Sequence, residues 1–266
     1  MISKAVGSTA AHVNMEVIRP FLIPLPPLQE QIRIVEEVER LFTIIYSIET
    51  EQIDLVGTIS LMKGRILELA ISGKLVPQDP ADEPAADLLK RVNPNAVVSA
   101  DTSHYNIPLN WTVTHLYLLC DMYQPQTISI REMNANGRFL VYGANGIIGR
   151  YDKYNHEESE LMMTCRGATC GNINVSEPFS WINGNAMVIH RKKTHEHILL
   201  KTYLELFLRT IDKNKIITGT AQPQITRISL NKVDMPLPPL NEQKRIVAKV
   251  DELFATIDQI QQSLEA

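Results

Sequence analysis

Several things that would set this chain apart from an ordinary soluble protein are scarce in it. It has three cysteines, Cys120, Cys165 and Cys170, which cannot make a full disulfide set. Cys165 and Cys170 lack two further ligands at zinc spacing, so all three read as reduced, small core residues. No apolar run reaches the roughly 20 residues of a membrane helix, and the N-terminus has no secretion-leader pattern. A cytoplasmic chain with no membrane association is therefore expected. Positive charge is not in excess either: 26 Lys and Arg face 30 Asp and Glu, for a net charge of −4. Free-standing DNA binders are usually basic, so any DNA contact must come from a local face, helped by a partner. Phosphate-binding loops are absent. Gly143, Gly146 and Gly149 stand three apart rather than as G-x-G-x-x-G, and there is no Gly-x-x-x-x-Gly-Lys-Ser/Thr. His195-Glu196-His197 alternates at a spacing that shares no helix face, and it reads as a surface segment opening a helix. His156 with Glu157-Glu158 reads as a polar loop. No metal, cofactor or catalytic residue is expected.

What the chain does have is a long-range repeat. Pro24-Leu25-Pro26-Pro27-Leu28-Gln29-Glu30-Gln31 returns as Pro236-Leu237-Pro238-Pro239-Leu240-Asn241-Glu242-Gln243, at an offset of 212 residues without a gap. The match continues through Arg33-Ile34-Val35 and Arg245-Ile246-Val247, and Gly7-Ser8 matches Gly219-Thr220. Two copies so far apart are no solenoid. They suggest a large unit once present twice, each ending in a helix.

Behind the first copy, Ile34, Leu41, Ile48, Leu55, Met62 and Leu69 recur every seven residues, with Val38, Ile45, Ile59 and Ile66 in the second seam position. This pattern predicts a coiled-coil helix over about 29–72, roughly 60–65 Å long. Gln52 interrupts the seam; it either fixes register or marks a splayed point. Prolines 24, 26 and 27 forbid helix before Leu28, and Gly73 with Pro77 ends it. Ile246, Val250, Leu253, Ile257, Ile260 and Leu264 repeat the seam in a shorter second helix. The economical arrangement sets the two helices side by side, leaving the seam beyond Ile53 unmatched and in need of another partner.

Between the helices lie a Pro- and Asp-rich connector (77–84), a short helix from Ala85 to Arg91, and a linker to about residue 104. From about 105 to 235, short apolar runs alternate with Gly, Asn and Pro. Strands are expected at Trp111–Leu116, Arg138–Tyr142, Glu160–Cys165 and Ala186–His190, a helix at Ile198–Ile211, and extended chain from Ile216 to Leu230. This is a mixed α/β domain of about 130 residues, enough for its own core. By the offset, residues 1–23 correspond to 213–235, the remnant of a first such domain, with poor order expected before about Met15.

These segments, with Gly73-Lys74-Leu75-Val76-Pro77, Ile107-Pro108-Leu109-Asn110-Trp111, Arg166-Gly167-Ala168-Thr169-Cys170-Gly171-Asn172 and Gly219-Thr220-Ala221-Gln222, resemble the specificity (S) subunit of type I restriction–modification enzymes. The resemblance spans nearly the whole chain. It implies an α+β fold: a mixed α/β target-recognition domain at 105–235, conserved regions at 24–76 and 236–266, and two long helices pairing as an antiparallel coiled coil. It also implies double-stranded DNA as ligand, methyltransferase (M) subunits on the conserved regions, and restriction (R) subunits joining through the complex. Members carry two recognition domains; this chain has one, which reads one half of a split site. Either the chain pairs with itself as a homodimer through its helices, or it is a truncated fragment without specificity. A coiled-coil interaction module with no DNA role is the third reading. A methyltransferase is not expected, because Asn93-Pro94-Asn95-Ala96 lacks the second proline and the aromatic of the Asn-Pro-Pro-aromatic motif.

Base reading needs side chains that match base edges: Arg for guanine, Asn or Gln for adenine. Loop candidates are Arg166, Asn172 and Asn174; Tyr142 and Asn145; and Thr220, Gln222, Gln224 and Arg227. Asn145 and Asn172 adjoin glycines and serve equally as turn formers, and Arg166 serves equally to hold an internal carboxylate. Arg191, Lys192, Lys193, Lys213 and Lys215 are candidates for phosphates, or for a solvated charged loop.

Overall fold

A computed structural model describes residue 19 and residues 22–94, 106–219 and 223–265. The expectation of poor order before Met15 lies outside these residues, and Gln52 lies on a helical stretch whose side chain is not described. The elements run in the order α1 (Leu28–Ile71), α2 (Ala85–Val92), β1 (Thr112–His115), α3 (Leu116–Leu119), β2 (Cys120–Tyr123), β3 (Phe139–Gly143), β4 (Gly146–Tyr151), β5 (Leu161–Thr164), β6 (Ile173–Val175), β7 (Trp181–Ile182), β8 (Ala186–Arg191), α4 (Lys201–Thr210), α5 (Lys213–Ile216), β9 (Ile217–Thr218), β10 (Gln224–Ile225), α6 (Arg227–Leu230), β11 (Asp234–Leu237) and α7 (Leu240–Glu265).

The chain divides into two compact units, residues 1–57 and 58–266, and the continuous helix α1 crosses the division. Its 44 residues span about 66 Å. In the first unit its apolar seam is exposed: Ile34, Val38, Leu41 and Ile45 each keep more than two-fifths of their surface in solvent. Residues 22–27, ahead of the helix, are not helical, as their prolines require.

In the second unit the end of α1 lies against α7 in antiparallel fashion. Lys63 bonds Asp258 at 2.5 Å and sits 5.6 Å from the centre of the Phe254 ring, while the chain just beyond α1 reaches the start of α7, where Gln78 donates to Glu242 at 2.6 Å. The packing stripe differs from strict seven-residue spacing. Ile59, Leu67 and Ala70 are buried, but Met62 is 48% exposed. A straight helix drifts from a 3.5-residue repeat, and near its end α1 also packs on the domain core, which draws Leu67 and Ala70 inward. That core joins Leu67 and Ala70 to Leu89, Trp111, Tyr203, Ile246 and Val250.

Among the described residues the domain holds a four-stranded antiparallel sheet in the order β2-β8-β5-β6 and a three-stranded sheet, β4-β3-β7, in which β3 and β7 are parallel. The pairs β1–β11 and β9–β10 are separate. Tyr142, Met162, Ile182, Ala186 and Val188 form a smaller core between the two larger sheets. The three cysteines are free and buried, as expected. Three sequence expectations need correction. The uncovered seam is not the part beyond Ile53: there Ile59 and Leu67 are buried and Lys63 reaches Asp258, because α7 runs antiparallel along the end of α1, and it is the earlier part, at Ile34, Val38, Leu41 and Ile45, that stays exposed. The stretch 216–230 is not extended throughout: Thr226 accepts from the Ser229 amide, and this capping box starts the helical turn α6. His195 is not a surface residue; it is buried at the end of a 3₁₀ turn (Lys193–His195), and the helix begins only at Lys201.

Candidate nucleic-acid interface

The candidate face is built where strand β5 runs out. Leu161–Thr164 is buried on both sides, and the chain then emerges at Arg166, which is exposed. The loop from Arg166 to Asn172 folds back on itself: Cys170 N–H donates to Gly167 O at 3.0 Å, and Asn172 N–H to Thr169 O at 3.0 Å. Gly167 and Gly171 have φ of 85° and 86°, the left-handed conformation that glycine adopts without steric cost. The loop closes onto β5 through Gly171 N–H to Thr164 O and Thr164 N–H to Asn172 O, both 2.9 Å. Burial pushes the Cys165 thiol up to about 11, so it stays protonated and inert beneath the loop.

Two other segments reach the same place. Arg166 pairs with Gln224 in an isolated antiparallel bridge, and Ile225 N–H donates to Cys165 O at 2.9 Å, bringing β10 alongside. The β3–β4 turn arrives from the other side. The Thr164 hydroxyl donates to Ala144 O at 2.5 Å and lies 3.2 Å from Asn145 Oδ1, while Asn174 Nδ2 donates to Ala144 O at 3.1 Å. Lys213 donates to Asn172 Oδ1 at 2.9 Å and adds a cation.

The structure thus gathers Arg166, Asn172, Gln224 and Asn145, all exposed, at one end of the domain. Asn174 is half-buried and committed to the Ala144 carbonyl. Tyr142 is 5% exposed, and its hydroxyl accepts from the Glu177 amide at 3.1 Å, so its place is inside the scaffold. Arg227 is not with Arg166; it opens α6 and lines a separate cleft with Tyr117, Asp121 and Asn231. Thr220 and Gln222 lie outside the described residues. Of the phosphate candidates, Arg191 donates to Leu199 O at 2.9 Å and pairs with Glu196 at 3.0 Å. Lys192 donates to the Tyr117 and Leu118 carbonyls. Lys213 adjoins the candidate face. Sequence reasoning passed over Thr164, whose hydroxyl ties the two loops; a threonine at a strand end carries no signal of that duty.

Chemically the face offers a guanidinium, three side-chain amides and an ammonium, the groups that match guanine and adenine edges and phosphate. The family model described as Type I restriction modification DNA specificity domain matches residues 1–56 and 108–266. The type I restriction enzyme EcoAI specificity subunit of Escherichia coli is 26% identical over 249 residues, covering 79% of this chain and 42% of that protein. A chain from a structure on complex assembly and conformational transition of the type I R-M system superposes with a TM-score of 0.67 at 21% identity, over 97% of this chain and 60% of that one. The HsdS subunit from Thermoanaerobacter tengcongensis gives 0.51 at 22% identity, over 99% of this chain and 59% of that one. The chain spans between 41% and 57% of the length of the curated E. coli relatives it matches.

Proposed function

Because the chain belongs to the type I restriction–modification DNA specificity family, whose part is specificity and not catalysis, we propose that residues 105–235 read one half of a split DNA site. The proline-led regions, 24–76 and 236–266, dock methyltransferase subunits, and restriction subunits join through that complex in the cytoplasm. The observation that carries the reading is the convergence of Arg166, Asn172, Gln224 and Asn145 from three separate segments onto one exposed end. Arg166 supplies the bidentate contact, the amides read adenine edges, and Lys213 positions the backbone.

The test mixes the full chain with its cognate methyltransferase and follows adenine methylation on specific and scrambled duplexes. Arg166→Ala is expected to lower specific methylation roughly tenfold to a hundredfold, since a bidentate base contact is worth about 1–3 kcal/mol. The thermal midpoint should stay where it is. Unchanged selectivity in this variant would remove Arg166 from the reading.

The exposed seam of α1 supports a second element of the reading, a homodimer formed through residues 28–57. Two identical readers would then address a palindromic split site. Light scattering of the isolated chain is expected to give twice the monomer mass, and Leu41→Asp the monomer mass. A wild-type chain that is monomeric yet still directs methylation would rule the dimer out.

A further inference from the structure

The three-stranded sheet has a second opening, at the end away from the Gly143–Gly146 turn. Arg138, Phe139, Arg150, Tyr154, Glu177 and Phe179 line a cleft there of about 490 Å³. Three rings meet edge to face. Phe139 and Tyr154 have centroids 5.1 Å apart at 72°, and Tyr154 and Phe179 have centroids 5.4 Å apart at 84°. Tyr154 and Phe179 nevertheless remain 39% and 51% exposed. The Arg138 guanidinium stands 5.3 Å from the centre of the Phe139 ring. Among the described residues no carboxylate forms an ion pair with Arg138 or Arg150, although Glu177 shares the same wall.

Phe179 sits at φ 51°, a conformation that a bulky side chain rarely adopts. The surroundings hold it there. Phe179 N–H donates to Glu157 O at 3.2 Å, Glu177 N–H donates to the buried Tyr142 hydroxyl, and Ser180 and His156 exchange backbone hydrogen bonds at 3.1 Å. A turn that keeps an apolar ring in water under backbone strain is a feature of ligand clamps.

We propose that this cleft binds a nucleotide. Its flat heteroaromatic ring lies against Tyr154 and Phe179, and its phosphate is held by Arg138 and Arg150. Aromatic faces accept any base, and guanidinium forks suit phosphate. The Glu177 carboxylate accepts hydrogen bonds from an exocyclic amine, as carboxylates do from cytosine N4, so amino-bearing bases are preferred over thymine. The site is independent of the base-reading face: Phe139 lies four residues along β3 from Gly143, roughly 13 Å at strand spacing. The nucleotide comes either free from solution or as a unit of a DNA strand.

Equilibrium dialysis of the full chain against AMP, CMP and TMP, and separately against short single-stranded and duplex DNA, tests this. Saturable binding of AMP and CMP, weaker for TMP and lowered roughly tenfold or more in the Arg138→Ala/Arg150→Ala variant, supports the site with a free nucleotide as ligand. The same loss seen only with DNA supports it with a strand nucleotide as ligand. Glu177→Gln provides a readout that a folding defect cannot imitate: the preference for CMP over TMP, or for cytosine over thymine within an oligonucleotide, should shrink while phosphate affinity is kept. Binding of neither mononucleotides nor DNA that responds to the arginine pair, or an unchanged base preference in Glu177→Gln, overturns the proposal.

Discussion

Gln243→Leu is expected to destabilise the chain by roughly 3–5 kcal/mol, while Gln31→Leu, the same change in the other copy of the repeat, costs less than about 1 kcal/mol. The Gln243 side chain is fully buried. Its Nε2 donates to Ile198 O at 2.7 Å and Pro238 O at 3.0 Å, and its Oε1 accepts from Leu200 N–H at 2.8 Å. One amide thus joins the start of α7 to the approach of α4, fastening the recognition domain to its helix. Leucine fills similar volume but leaves three buried backbone groups unpaired, at about 1–3 kcal/mol each before relaxation. Among the described residues Gln31 keeps only the local bond, Nε2 to Pro26 O at 2.7 Å, in a half-exposed setting where water replaces it. Urea denaturation of the two full-length variants measures the contrast; equal losses would mean that the clasp contributes nothing.

Arg245→Ala should cost about 3 kcal/mol and make the connector around Asp82 sensitive to protease. Arg245 Nη2 lies 2.6 Å from Asp82 Oδ2, and the Asp82 side chain is only 4% exposed. Removing the arginine strands a buried carboxylate, which is worse than losing the pair outright. Arg245 itself is one-third exposed, which places the expectation at the low end of the range for buried pairs. Adding Asp82→Asn should restore part of the lost stability, because the stranded charge is gone. No recovery in the double variant would place the cost elsewhere. Arg33, the matching residue of the first copy, bonds only the Gln29 carbonyl at 3.3 Å among the described residues and offers an exposed control.

How much of this was readable beforehand depends on the range of the forces involved. The long helices were visible because seven-residue spacing and bracketing prolines act locally; α1 begins and ends within one residue of its expected bounds. The strands at 139–143, 161–164 and 186–191 followed from short apolar runs. Tyr142 was misjudged as a loop residue because a register shift between Val141 and Tyr142 turns consecutive residues inward, which strict alternation does not allow. Arg227 was grouped with Gln224 by sequence distance, yet the capping box at Thr226 turns the chain into α6 and carries Arg227 to another cleft. The meeting of Arg166 with Gln224 is a contact across 58 positions that neither segment announces by itself. The nucleotide cleft was missed for the same reason. Its two arginines, its carboxylate and its rings come from separate stretches, and only the pairing of β3 with β4 and β7 assembles them.

The local bond from Gln31 to Pro26 repeats the one from Gln243 to Pro238, although only the second lies within a packed interior. The proline-led corner of the first copy already holds the bend its twin adopts when covered. A partner docking at that corner, as proposed, would meet a bend already formed and spend no binding energy on shaping it.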